Sequence, residues 1–303
     1  MDQPQEPRAH PIEIQSDATQ PGKAMLFGLL AVLLWSTVAT GFKLGLAQMS
    51  VAQLLLLGTT LSWGVFAAVC LWRRAFTLHP QDRWLGVVLG LIKPLTYYLV
   101  LFAAYDRLPA HIAQPLNYTW AITLALLAVP ILKQCLPPSA WLGIGLSYAG
   151  VVALLSLSDA AQHGWDWLGV FLALFSTLLW ALYWLLNTRS QSDPVSLMLY
   201  GFTIALPPLA WLCWWQDGWP ALTTDNLLYG AWVGFIEMGI TFLLWQRALK
   251  LTDAAAKVAQ LIFISPVVSL VLIYFVLGET ISSGAILGFL LILAGLALTQ
   301  RQS

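Results

Sequence analysis

A lysine and a glutamate stand at matching depths in two long apolar stretches. Lys93 lies near the middle of Leu85–Leu108, LGVVLGLIKPLTYYLVLFAAYDRL, and Glu237 near the middle of Tyr229–Thr252, YGAWVGFIEMGITFLLWQRALKLT. The second stretch repeats the first: Gly86 falls on Gly230, Gly90 on Gly234, Ala104 on Ala248 and Lys93 on Glu237. A charge at mid-membrane depth costs at least about 2.5–3.5 kcal/mol on insertion scales, so it marks a functional position by default. In each copy the charge follows the two glycines at helical spacing, which puts all three on one face. Such small-xxx-small faces pack closely against neighbours. The charges are therefore expected to face protein or a cavity. Three chemistries fit them. They bind the carboxylate and ammonium of a zwitterion, they form an ion pair between symmetry-related helices, or they titrate as a proton-linked switch.

Ring-bearing and amide residues cluster at similar depths. Trp35 and Trp180 lie deep in their spans and, with Tyr97, Tyr98, Tyr118, Tyr183, Trp184 and Phe263, could stack on the ring of a solute; ordinary helix packing accounts for about half of such positions. Asn117 and Gln260 sit inside apolar spans, where an amide either bonds a neighbouring helix or faces a cavity. Packing bonds of that kind average only about 0.6 kcal/mol, a weak motive by themselves. Pro94 and Pro266 interrupt helices and are candidate gating hinges, because proline frees a carbonyl and permits a kink; at Pro207–Pro208 a static bend is expected. Other tryptophans, including Trp72, Trp84, Trp141, Trp165, Trp167, Trp214, Trp215 and Trp219, stand at span ends as an interfacial belt. His111 and Lys257 lie about one turn inside a span, where snorkelling is expected.

The elements that position these residues are membrane spans. Of 303 residues 59% are hydrophobic and 9% charged, against about 25% charged in soluble domains. Ten runs of roughly the 20 residues needed to cross a bilayer occur at about 24–45, 51–72, 84–105, 110–132, 139–157, 166–187, 195–214, 227–248, 254–277 and 282–300. The runs are too long for β-barrel strands. Residues 1–23 are polar and proline-rich, without signal-peptide features, and read as a disordered tail. Basic residues set the orientation. Arg8, Lys23, Arg73, Arg74, Arg83, Lys133, Arg189, Arg247, Lys250, Lys257 and Arg301 fall on the tail side, and only Lys43 and Arg107 on the other, so both termini are expected in the cytoplasm.

The repeat extends over the chain. Leu142-Gly143-x-x-Leu146-x-x-Ala149-Gly150 matches Leu287-Gly288-x-x-Leu291-x-x-Ala294-Gly295, and Trp35 matches Trp180. Two copies of five helices, residues 24–158 and 159–303, follow; because five is odd, the second copy runs inverted. The fold class is an all-α polytopic membrane protein of two inverted five-helix repeats. Inverted repeats are the signature of many secondary transporters, with the substrate near the midplane between the halves.

Specific residues resemble the drug/metabolite transporter superfamily, in its EamA-type branch. They are Leu34-Trp35-Ser36 with Phe42 and Lys43; Trp180-Ala181 with Arg189; and Ala248-Leu249-x-x-Thr252-x-x-Ala255, Ser265-Pro266-Val267 and Gly278-Glu279. The resemblance covers residues 24–300. It implies a central cavity lined by helices one, three, four, six, eight and nine. Within the branch the chain looks most like bacterial inner-membrane exporters of aromatic amino acids. The first half departs from the pattern, with Ala121 where Pro266 stands and Lys133-Gln134 where Gly278-Glu279 stand.

Other classes lack their signatures. There is no P-loop. The four histidines (His10, His79, His111, His163) have no acids at metal-binding spacing, and Cys70, Cys135 and Cys213 form no close-spaced motif. A lipid-processing membrane enzyme needs clustered acids or histidines at one interface. An ion channel needs a charge ring or filter carbonyls, usually from an oligomer. The sequence therefore leads to expect a multi-pass inner-membrane exporter, without cofactor or metal, that works as a monomer. Its expected partners are the bilayer and small amphipathic metabolites, first among them aromatic and other large neutral amino acids, with no nucleic acid.

Overall fold

The computed structural model describes residues 20–74, 76–133, 135–158, 164–252 and 255–300. Residues 1–19 of the expected tail, Gln134, His163 and Arg301 lie outside them. The apolar runs fold into helices α1 (Pro21–Leu46), α2 (Val51–Arg73), α3 (Pro80–Arg107), α4 (Ala110–Leu132), α5 (Pro138–Leu157), α6 (Trp167–Asn187), α7 (Pro194–Gln216), α8 (Thr224–Lys250), α9 (Lys257–Leu277) and the shorter α10 (Ser283–Thr299). Among the described residues the first nine are long and apolar enough to cross a membrane. Their ends carry ordinary stop and start chemistry. Ser50 and Gln53 cap α2 reciprocally, and the side chains of Asp166, Asp193 and Thr223 accept from the first-turn amides of α6, α7 and α8.

The ten helices form two inverted five-helix repeats that interleave. α3 packs on α6, and α6 on α4; in the other copy α8 packs on α1, and α1 on α9. Each of these two bundles mixes helices from both repeats, and the cavity lies between them. Two further pairs, α2 with α7 and α5 with α10, each unite equivalent helices. The glycines read in the sequence bring helices to backbone contact. A Cβ on Gly90 would meet the Gly201 carbonyl at 2.6 Å, and one on Gly234 would meet the Gly58 carbonyl at 2.7 Å. The two contacts are repeat-related, α3 on α7 and α8 on α2.

Both charge-bearing helices change their winding at the charge. α3 is α-helical to Gly90, widens to a π-helical segment at Leu91–Tyr97, and resumes at Tyr98. α8 widens in the same place, at Trp232–Gly239. Pro94 explains the first, since it has no N–H for the carbonyl four residues back and its ring crowds that carbonyl. Such wide turns are rare and concentrate at functional sites. α9 leads from an α-helical turn at Ala255–Ala259 into a tight 3-10 turn at Gln260–Phe263 before Pro266, whereas Pro207–Pro208 sit inside the continuous helix Pro194–Gln216.

Of the tryptophans read at span ends, Trp72, Trp84, Trp141, Trp167, Trp214, Trp215 and Trp219 are exposed. Trp165 instead packs inward and donates its indole N–H to the Leu155 carbonyl at 2.8 Å.

Candidate functional site

A cavity of about 210 Å³ lies between the two bundles. Its wall comes from α1 (Trp35, Val38, Ala39, Phe42), α3 (Tyr97, Leu101, Tyr105), α4 (Gln114, Asn117, Tyr118, Trp120), α6 (Trp180, Trp184), α8 (Glu237, Trp245) and α9 (Ala259, Ile262). Helical spacing explains the stripes: Tyr97, Leu101 and Tyr105 recur every four residues, as do Trp180 and Trp184. Nine of these 17 residues are aromatic. Tyr97 stacks against Trp180 with ring centroids 4.6 Å apart, and Trp35 packs edge-on against Phe242 at 5.4 Å. The indole N–H of Trp35 points at the Glu237 carbonyl at 3.5 Å.

Glu237 is the one charged side chain of this wall. It is 8% exposed, and its Oε1 accepts the Tyr98 hydroxyl at 3.0 Å. Lys93 is fully buried, and its Nζ has no hydrogen-bond partner. It lies 3.2 Å from the centroid of Phe242, with the rings of Tyr183 and Trp180 at 5.4 and 5.6 Å. Rings hold an ammonium through their negative faces. The ion pair considered between Lys93 and Glu237 is not formed; the described ion pairs are Arg107–Asp166 and His111–Glu279.

The structure thus brings Trp35, Tyr97, Asn117, Tyr118, Trp180, Trp184 and Glu237 to one wall. Lys93, Tyr98 and Tyr183 stand behind it. Gln260 is not part of it: it opens the 3-10 turn, and the residue is exposed. Phe263 is half-buried and packs on the main apolar core. Asn117 also makes the expected helix–helix bond, donating to Ser176 Oγ at 2.9 Å, and Tyr118 donates to Ser265 Oγ at 2.8 Å, tying α4 to α9. Sequence reading missed Phe42, Tyr105, Gln114, Trp120 and Trp245. The four-residue stripe from Tyr97 leads to Tyr105, and Gln114 lies one turn before Asn117 and Tyr118, with Trp120 two residues further on.

The end of the cavity far from Pro21 is sealed. Phe42 and Tyr105 there are 2% and 3% exposed and pack against each other, with Phe42 also on Phe102 at 4.4 Å. Two charges from the α1–α8–α9 bundle grip the α3–α4 turn of the other. Lys43 Nζ donates to the Tyr105 and Leu108 carbonyls at 2.7 and 3.1 Å, at the C-terminal end of α3. Glu279 accepts from the amides of Ala110 and His111 at 2.8 and 3.0 Å, at the N-terminus of α4, and from the His111 ring at 2.6 Å. Each charge sits at the helix end whose dipole attracts it. His111 does not snorkel; it is 9% exposed because Glu279 holds it. Burial alone pushes the Glu279 carboxyl up, but the bonds from His111 and the two amides outweigh it and hold it below its ordinary value. At the opposite end Trp184, Trp245, Ala259 and Ile262 are half-buried, so the cavity opens toward the Pro21 side.

Comparison with known proteins agrees with this architecture. Residues 22–156 and 167–301 each match the model of the EamA-like transporter family. The chain is 27% identical over 271 residues to the aromatic amino acid exporter YddG of Ancylobacter novellus, covering 87% of this chain and 91% of that protein. It is 24% identical over 254 residues to the uncharacterized transporter YvbV of Bacillus subtilis, covering 80% and 81% of the two chains. The inner membrane protein YtfF of Escherichia coli is 28% identical over 184 residues, 54% of each chain. A solved crystal structure, 24% identical, superposes with a TM-score of 0.64 over 94% of this chain and all of the other, a likeness of fold.

Proposed function

This chain belongs to the EamA-like transporter family, part of the drug/metabolite transporter superfamily, and from that premise we propose that it exports aromatic and other large neutral amino acids. As a member of a transporter family it is a multi-pass membrane protein with a small-molecule substrate. The observation that carries the finer reading is the cavity wall: nine aromatic residues surround a single carboxylate, Glu237. Indole and phenol faces suit a ring-bearing solute, and the carboxylate suits its ammonium. The cavity is smaller than the roughly 300–1,000 Å³ of drug-sized sites, which favours one small metabolite at a time. The relative named as an aromatic amino acid exporter supports the same substrate class.

In this reading the chain is two five-helix units, residues 24–158 and 159–303, and the mixed bundles they build, α1–α8–α9 and α3–α4–α6, move against one another about a midplane site. Trp35, Tyr97, Asn117, Tyr118, Trp180, Trp184 and Glu237 contact the solute. Tyr98 and Tyr183 hold that layer from behind, and Lys93 meets the solute carboxylate once the aromatic cage releases it. Pro94, inside the widened segment of α3, and Pro266, just after the 3-10 turn of α9, mark the places that flex. Both termini face the cytoplasm of a bacterial inner membrane, the cavity accepts solute from that side, and the Lys43 and Glu279 contacts bar the outside. A sealed far end argues against an open ion pore. The test is efflux from cells expressing the protein at matched membrane levels. The reading expects phenylalanine and tryptophan to leave faster than from cells expressing Glu237→Gln. Equal efflux from the two would overturn it.

A further inference from the structure

Near the sealed end, the cavity wall carries a polar side chain with no task so far. Gln114 lines the cavity and is 4% exposed. Its Oε1 is buried and accepts no hydrogen bond from the protein. The polar groups around it are engaged elsewhere: His111 on Glu279, Asn117 on Ser176 and Tyr118 on Ser265. A buried acceptor without a donor is destabilising and rare in folded proteins; the residue borders the cavity, so a turn of its side chain brings this oxygen to a donor from outside the chain. Toward the sealed end the wall beside it is Phe42, Leu101 and Tyr105, whose hydroxyl makes no bond to the unpaired Gln114 oxygen.

We propose that Gln114 is a specificity residue, whose side-chain oxygen accepts a hydrogen bond from an O–H or N–H borne on the ring of the transported solute. Phenol- and indole-bearing solutes are then favoured over plain phenyl ones. The inference rests on the reading of this cavity as the site of a ring-bearing solute, and it adds what recognises the ring. Depth supports it. Tyr97 and Tyr105 both line the cavity, and their separation of eight positions along the helix spans about 12 Å. Glu237 stands at the middle of its helix and Gln114 toward the sealed end, so a solute with its amine at mid-depth presents its ring edge to Gln114. A site built to accept a hydroxyl discriminates strongly against the analogue that lacks one, because its own polar group is then left unpaired.

The test uses the purified full chain and three pairs of probes that differ by one ring hydroxyl: tyrosine and phenylalanine, tyramine and phenethylamine, 4-hydroxyphenylpropionate and 3-phenylpropionate. Binding to the wild type, Gln114→Leu and Gln114→Met is measured together with the unfolding midpoint of each protein without solute. The wild type should prefer the hydroxyl-bearing member about tenfold, and both variants should reduce that ratio to about one. Their solute-free midpoints should equal or exceed that of the wild type, because an unpaired buried amide has been removed. A wild-type ratio of one, a preference that survives both substitutions, a midpoint that falls in both, or no binding by any pair overturns the proposal. If the amine or acid pair discriminates while neither amino acid binds, Gln114 keeps its role and the amino acid reading falls. If both amino acids bind with a ratio of one, the reverse holds.

Discussion

Replacing Glu237 by Gln isolates the charge of the cavity. The amide keeps the size of the side chain and an oxygen for the Tyr98 hydroxyl, which donates to Oε1 at 3.0 Å. What it removes is the one carboxyl of the cavity wall, which makes no ion pair among the described residues, since Lys93 Nζ sits over the Phe242 ring and not on Glu237. A charge-assisted hydrogen bond is worth about 1.5–3 kcal/mol. Losing one between Glu237 and a substrate ammonium weakens binding about 10- to 150-fold. The assay is displacement of labelled tryptophan from reconstituted protein by two competitors, tryptophan and indole-3-propionate, which lacks the amine. Glu237→Gln should weaken tryptophan by that factor and leave indole-3-propionate nearly unchanged. Equal weakening of both, or of neither, refutes the assignment of Glu237 to the ammonium.

Three more outcomes follow from the same geometry. Trp35→Ala and Trp180→Ala each remove a stacking face worth about 0.5–1.5 kcal/mol beyond area burial, a roughly three- to tenfold loss of affinity. The loss should be larger for phenylalanine than for threonine, and Trp180, which stacks on Tyr97 and Tyr183, should show the larger effect. Because Lys93 and Glu237 do not pair, exchanging them (Lys93→Glu with Glu237→Lys) should not restore transport lost in either single variant; restoration to wild-type rates would revive the ion-pair reading. Glu279 titrates below its ordinary value in the fold, so its bonds to α4 contribute stability above about pH 4.3 and lose it as pH falls through the lower folded value. Unfolding midpoints measured down to pH 3 should show this acid limb in the wild type and a weaker one in Glu279→Gln; superimposable profiles would exclude Glu279 as its source.

The spans, the repeat and the depth of both charges were legible because a bilayer allows few alternatives. About 20 apolar residues must cross, and a charge within them must face inward. Side-chain direction was less legible where the helix departs from regular winding. Tyr97 and Tyr98 are neighbours in a ring-rich run, yet the end of the π-helical segment falls between them, and only Tyr97 lines the cavity while Tyr98 reaches Glu237 behind it. Gln260 opens the 3-10 turn of α9, a change of winding that an apolar run does not announce, and it is exposed rather than part of the wall. His111 read as a snorkelling residue because its partner, Glu279, follows 168 positions later. Gln114 carried too weak a signal, since one amide beside Pro115 in an apolar span does not reveal that its oxygen lacks a donor.

The most direct test of substrate class is counterflow in liposomes. Vesicles reconstituted with the purified protein are loaded with unlabelled phenylalanine, and entry of labelled tryptophan is followed. A cavity walled by rings around one carboxylate predicts transient, saturable accumulation that tyrosine and leucine compete and that lysine and glutamate do not. Protein-free rates with every amino acid, or equal competition by lysine and glutamate, would contradict it.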